Sequence, residues 1–256
     1  MREPGKVTPG NTGNTIMSSA RAQIGFINAA HSFTHYSLLI LPTAVLAMVQ
    51  PGGTFGSDYG PILALATGGF ILYGLFALPQ GWLAAKFGRR NLMTVFYFGA
   101  GISMVLTGLA GTPLMLAAAL GATGLFVAIY HPIGTALLVE VAGDKPGQAI
   151  GLNGVFGNVG VAMAPMMTAV IAAKFGWHWA FILPGAACTL LGLFWLRLPV
   201  WDGRSVSARK PFPKIPAPVV RQVVIVLLLI AAVSGLVFNA FTLLIPKLMQ
   251  ERRGLL

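Results

Sequence analysis

Apolar residues fill seven stretches of the chain, about 24–49, 61–83, 92–111, 114–138, 150–173, 179–198 and 222–246. Short segments rich in Gly, Pro, Lys and Arg separate them. Each stretch is close to the roughly 20 residues that carry an α-helix across the hydrocarbon core of a bilayer. The pattern therefore predicts an all-α integral membrane protein with seven transmembrane helices. The polar start "MREPGKVTPGNTGNT" has no apolar core of its own, so no cleavable signal peptide is expected. "PVWDGRSVSARKPFPKIPAPVVRQ" is the longest polar interruption between spans and reads as a linker. The expected organisation is a tail over 1–22, a six-helix bundle over 23–198, a linker over 199–221, and the first helix of an incomplete second bundle over 222–256.

Composition agrees with this division. Of the 256 residues 56% are hydrophobic and 9% charged, against about 25% charged in soluble domains. The 32 glycines suit closely packed membrane helices. A formal charge of +11 could point to nucleic acid, but the basic residues sit in short loops between spans, so no nucleic-acid partner is expected. Arg2, Lys6 and Arg21 precede span 1; Lys86, Arg89 and Arg90 follow span 2; Lys145 follows span 4; six more Lys or Arg surround the last linker. The opposite loops are almost bare. The positive-inside rule then places the N-terminus, the tail and the linker in the cytoplasm. The single cysteine, Cys188, lies inside an apolar run and reads as a buried thiol.

Candidate chemistry centres on span 1. His31 and His35 are one helical turn apart and project from one face, together with Asn28 and Pro42. In span 4, Tyr130, His131, Gly134 and Thr135 gather, and Pro132 should free the carbonyl of Ala128. At 1.5 Å per residue, His31 lies about 12 Å and His131 about 10 Å from the inner ends of their antiparallel spans. Polar groups on one face of an apolar helix point to a cavity or a partner, and histidine titrates in the physiological range. Three readings compete: a metal site, proton handling, and rings that only bond neighbouring helices. With four histidines and no carboxylate deep in any span, no metal site is expected. Glu140, at the inner end of span 4, is an alternative proton acceptor.

"GWLAAKFGRRN" stands between spans 2 and 3. It resembles the G-x-L-A-D-R-x-G-R-R signature of the major facilitator superfamily. Gly81, Leu83, Ala84, Gly88, Arg89 and Arg90 match it, Lys86 keeps a charge, and Ala85 replaces the usual aspartate of a gating charge network. In span 5, Gly151, Gly154, Gly157 and Gly160 recur every third residue and are expected to form a groove on one helix face, with a bend at Pro165. Gly151, Gly160 and Pro165 also resemble the antiporter motif of drug-exporting facilitators, with Ala164, Thr168 and Ala169 in glycine positions. A packing groove alone explains the same residues. "FGWHWAFILPG" is similar to the start of span 6 in many facilitators. "HSFTHY" with "YHPIGTALLVEVAG" resembles the fosmidomycin-resistance branch.

The resemblance implies half of a twelve-helix transporter in the bacterial inner membrane. Spans 1 and 4 would line its central cavity, making Asn28, His31, His35, Tyr130, His131 and Glu140 the candidate substrate and proton groups. The expected function is proton-coupled export of a small molecule, with no enzymatic activity and no cofactor. Symport of a small organic anion, or a truncated fragment that does not transport, are the alternatives. A histidine-ligated membrane metalloenzyme is the contender from another class. A seven-span receptor conflicts with the charge sidedness. Transport would need the missing C-terminal half or a second copy.

Overall fold

The computed structural model describes residues 10–49, 51–198 and 215–253, and all its regular structure is helical. The first apolar segment divides into α1 (Gly10–Leu38) and α2 (Ile40–Met48). The second contains α3 (Tyr59–Ala64), α4 (Thr67–Ala77) and α5 (Gln80–Phe87), followed by α6 (Arg89–Gly108). Then come α7 (Pro113–Val127), α8 (Tyr130–Val141), α9 (Pro146–Phe175), α10 (Trp177–Arg197) and α11 (Ala217–Arg253). Among the described residues six helical stretches are long and apolar enough to cross a membrane, counting α3 with α4 and α7 with α8 as one each. The seventh predicted span, 24–49, is the end of α1 joined to α2.

Prolines place the breaks. A proline ring lacks an N–H and clashes with the carbonyl four residues earlier. Pro42 accordingly ends α1 at Leu38, where Leu39 N–H turns back to the Tyr36 carbonyl at 3.1 Å. Pro132 ends α7 just before Ala128, with Ile129 N–H on the Phe126 carbonyl at 3.2 Å. By contrast α9 continues as one helix through Pro165. Proline at a helix start is favourable: Pro113 opens α7, where the Thr112 hydroxyl accepts the Met115 N–H at 3.2 Å.

Two helices reach beyond the predicted spans. Helix α1 begins at Gly10, inside the expected tail, of which residues 1–9 lie outside the described residues. Helix α11 begins at Ala217, inside the expected linker, whose residues 199–214 likewise lie outside them. Backbone bonds from Val219 and Val220 to the Pro216 carbonyl start α11 early. The Lys247–Glu251 pair, 3.5 Å apart at (i, i+4), supports its extension past 246.

The bundle is held by α6 on α10 and α7, α4 on α7, and α1 on α9. Its centre is aromatic: Phe96, Tyr97, Tyr130 and Phe181 are almost fully buried. The Tyr97 hydroxyl donates to the Phe26 carbonyl at 2.6 Å, tying α6 to α1. Helix α11 packs on α2 and keeps most side chains exposed.

Between α4 and α7 the backbones themselves touch. A Cβ at Gly124 would lie 2.0 Å from the Gly69 carbonyl oxygen, so neither helix tolerates a side chain at the crossing. Gly124→Ala should destabilise the protein by about 1–3 kcal/mol, the range for overpacking. Gly154→Ala, whose Cβ would meet nothing within 4 Å, should cause no loss. Thermal unfolding of the two variants in one detergent compares them directly.

Candidate functional site

The polar face of α1 meets the start of α8 and the middle of α9. Asn28, His31 and His35 follow one another on that face at spacings of three and four. Tyr130 and His131 are neighbours at the start of α8, about 100° apart round the helix, so that Tyr130 is fully buried while His131 is exposed. His31 and His35 are half-buried. The three imidazoles converge: ring centroids are 4.9 Å apart for His31–His35, 5.2 Å for His31–His131 and 5.4 Å for His35–His131. Tyr130 stacks on His31 at 4.9 Å, and Tyr73 of α4 lies 6.3 Å from His131. The similar depths expected for His31 and His131 correspond to rings in contact.

Hydrogen bonding orients the cluster. His31 Nδ1 is 2.7 Å from the carbonyl oxygen of Asn153. A carbonyl only accepts, so Nδ1 carries the proton, and in the neutral ring Nε2 is left as an acceptor. His35 Nε2 lies 3.1 Å from that Nε2 and donates to it. Behind the rings, Asn153 Nδ2 donates to Asn28 Oδ1 at 2.8 Å and to the Tyr130 oxygen at 2.8 Å. The Tyr130 hydroxyl in turn reaches Asn153 Oδ1 at 3.1 Å.

Asn153 is the residue that sequence reasoning missed. Its signal was available, because Asn153 and Gly157 are four apart and share a face of α9. A Cβ at Gly157 would stand 2.6 Å from His31 Cε1, so this glycine makes room for the ring that the Asn153 carbonyl binds. The expected single-face glycine groove needs correction. Steps of three residues rotate by 300°, so the series drifts round the helix. Gly151 and Gly154 meet nothing within 4 Å, whereas Gly160 presses on the Ser32 carbonyl. Ala164 is fully buried and Pro165 half-buried.

Glu140 does not join the histidines. It pairs with Arg89 at the turn between α5 and α6. That turn uses Gly88 at φ +80°, with Gly88 N–H on the Ala84 carbonyl at 2.9 Å. A non-glycine residue is uncommon there. Arg90 donates to the carbonyls of Leu196 and Leu198 at 3.1 and 2.7 Å, satisfying free groups at the end of α10. Lys86 lies over the rings of Trp82 and Phe87, and Gly81 and Ala85 are exposed. His178 is apart from the cluster, stacked on Trp177 with Nδ1 2.7 Å from the Gly108 carbonyl.

A family model described as Major Facilitator Superfamily matches residues 24–256. The chain belongs to the major facilitator superfamily. It is thus a multi-pass membrane protein of a transporter family, as the residues of "GWLAAKFGRR" indicated. It is 32% identical over 138 residues to a probable sulfoacetate transporter SauU of Cupriavidus necator, covering 50% of this chain and 32% of the relative. It is 31% identical over 163 residues to a probable hexose phosphate transport protein of Chlamydia trachomatis, covering 60% and 35%. Against the multidrug resistance protein MdtG of Escherichia coli it is 28% identical over 222 residues, covering 82% and 53%. The chain spans about half, or less, of the length of the curated relatives it matches.

The Asn153 amide is the joint of this facilitator's polar network. Asn153→Leu keeps its bulk but strands Asn28 and Tyr130, and should cost about 1–3 kcal/mol, the penalty for buried unsatisfied groups. Tyr130→Phe leaves the Asn28–Asn153 bond in place and should cost less. Unfolding midpoints in a common detergent order the two.

Proposed function

We propose that this chain forms the first half of a proton-driven exporter of small molecules in the bacterial inner membrane, with its N-terminus in the cytoplasm. The observation that carries the reading is the convergence of His31, His35 and His131 from two helices onto one partly open face. Intramembrane ionisable groups are costly and usually mark substrate or ion pathways. The tautomer relay from His35 through His31 to the Asn153 carbonyl gives these rings a defined proton arrangement. The name of MdtG, a multidrug resistance protein, supports export, and the basic loops support the orientation.

In this reading residues 23–198 are one bundle and 199–221 a cytoplasmic linker. Alternating access rocks two such bundles about a midplane site, so α11 would open the second bundle, or a second copy would supply it. The Arg89–Glu140 pair would steady the end of the bundle in place of the aspartate that Ala85 replaces. A second reading, movement of a small organic anion, is favoured by the absence, among the described residues, of any carboxylate from the histidine cluster and by the anions in the names of two relatives, sulfoacetate and hexose phosphate.

Cells expressing the full coding sequence should extrude ethidium faster than cells without it. A protonophore should abolish the difference, and His35→Ala should lower the rate at least tenfold. Sulfoacetate movement by the same cells, with no ethidium export, would establish the second reading. Neither probe moving, or export indifferent to the protonophore and to His35, would sink the proposal.

A further inference from the structure

The same three rings have the arrangement of a metal-binding set. Their ligand nitrogens all lie within 4.8 Å of one another. His31 Nε2 and His35 Nε2 are 3.1 Å apart. Two nitrogens on a tetrahedral zinc at about 2.0–2.1 Å would be roughly 3.3 Å apart, so this pair has close to the separation the ion needs once the His35 proton moves from Nε2 to Nδ1. Histidines at i and i+4 on one helix are a recurring pair of zinc ligands. The third ring, His131, comes from α8, and its nitrogen would move about 1.5 Å inward to reach the tetrahedral separation, a χ rotation that its exposure leaves room for.

The support behind the rings fits as well. A metal-bound histidine almost always donates its other ring N–H to a carbonyl or carboxylate. His31 Nδ1–H does so to the Asn153 carbonyl at 2.7 Å, and Asn153 is itself held by Asn28 and Tyr130. The His31 tautomer that this bond selects points the Nε2 lone pair at the centre of the cluster. Gly157 supplies the space in which the His31 ring sits.

We propose that His31, His35 and His131 bind one divalent transition cation of the zinc class. Three imidazole nitrogens suit zinc, cobalt, nickel or copper. They do not suit magnesium or calcium, which take oxygen ligands. Because all three ligands are neutral when bound, the ion keeps its full charge. Its fourth position, on the side opened by the exposed His131, then favours hydroxide or a small anion. Bound zinc would occupy the ring nitrogens that the export reading uses for protons, and zinc retention by the purified chain is measured independently of transport.

Purified full-length chain, stripped with chelator and incubated with zinc, should retain one zinc per chain after gel filtration. Cobalt in its place should give the intense visible bands of a tetrahedral site. His35→Ala and His131→Ala should each weaken zinc binding at least tenfold. His178→Ala, whose ring is held at the Gly108 carbonyl, should bind as the parent does. His131 is exposed, so its variant should keep the parent's circular dichroism. Failure of the unaltered chain to retain stoichiometric zinc overturns the proposal without reference to any variant. Retention undiminished in His35→Ala and His131→Ala overturns it equally.

Discussion

A polar side chain within hydrocarbon must find partners among its neighbours, since no water is there to supply them. In this protein that constraint acts most strongly where α9 crosses α1. Asn153 brings an amide and a backbone carbonyl to the crossing, and Gly157 and Gly160 bring no side chain at all. The amide gathers Asn28 and Tyr130, the carbonyl takes the proton of His31, and the bare backbone at Gly160 lets the helices approach until it meets the Ser32 carbonyl. Remove that close approach and the histidines of α1 lose the wall that orients them.

The proline break between α7 and α8 provides the other half of the arrangement. A continuous helix would fix the direction of α8 from that of α7, whereas the break lets α8 take its own. The interruption at Ala128–Ile129 seats Tyr130 flat against His31 inside the bundle and leaves His131 at its open face. A weakness in the helix is thus used to position the one histidine that comes from outside α1. At this break Ile129 N–H takes an i to i−3 bond to the Phe126 carbonyl at 3.2 Å.

Charge is handled at the helix ends rather than within the spans. Arg90 caps α10 and Arg89 meets Glu140, so the first two residues of α6 tie its start to the ends of α8 and α10. This clears carboxylates from the histidine face, and three neutral nitrogen ligands without an acid is what that face offers. The absence of a deep carboxylate argued against a metal when only the sequence was in view. With the rings in contact it instead defines which cations fit.

By itself the sequence determined the class of structure, the number of apolar segments, the family and the three histidines worth following. Each rests on a local quantity: the length of an apolar run, the spacing of a loop motif, the period of a helix. The break at Pro132 was legible for the same reason, because the clash lies within one turn. Tertiary structure alone decided which faces met. It divided the four glycines from Gly151 to Gly160 into a packed pair and an open pair, assigned Glu140 to Arg89, and promoted Asn153 from an unremarked amide to the centre of the site. Those outcomes depend on crossing geometry between segments far apart in sequence, more than a hundred residues in the case of α1 and α9, and no local pattern encodes such a crossing.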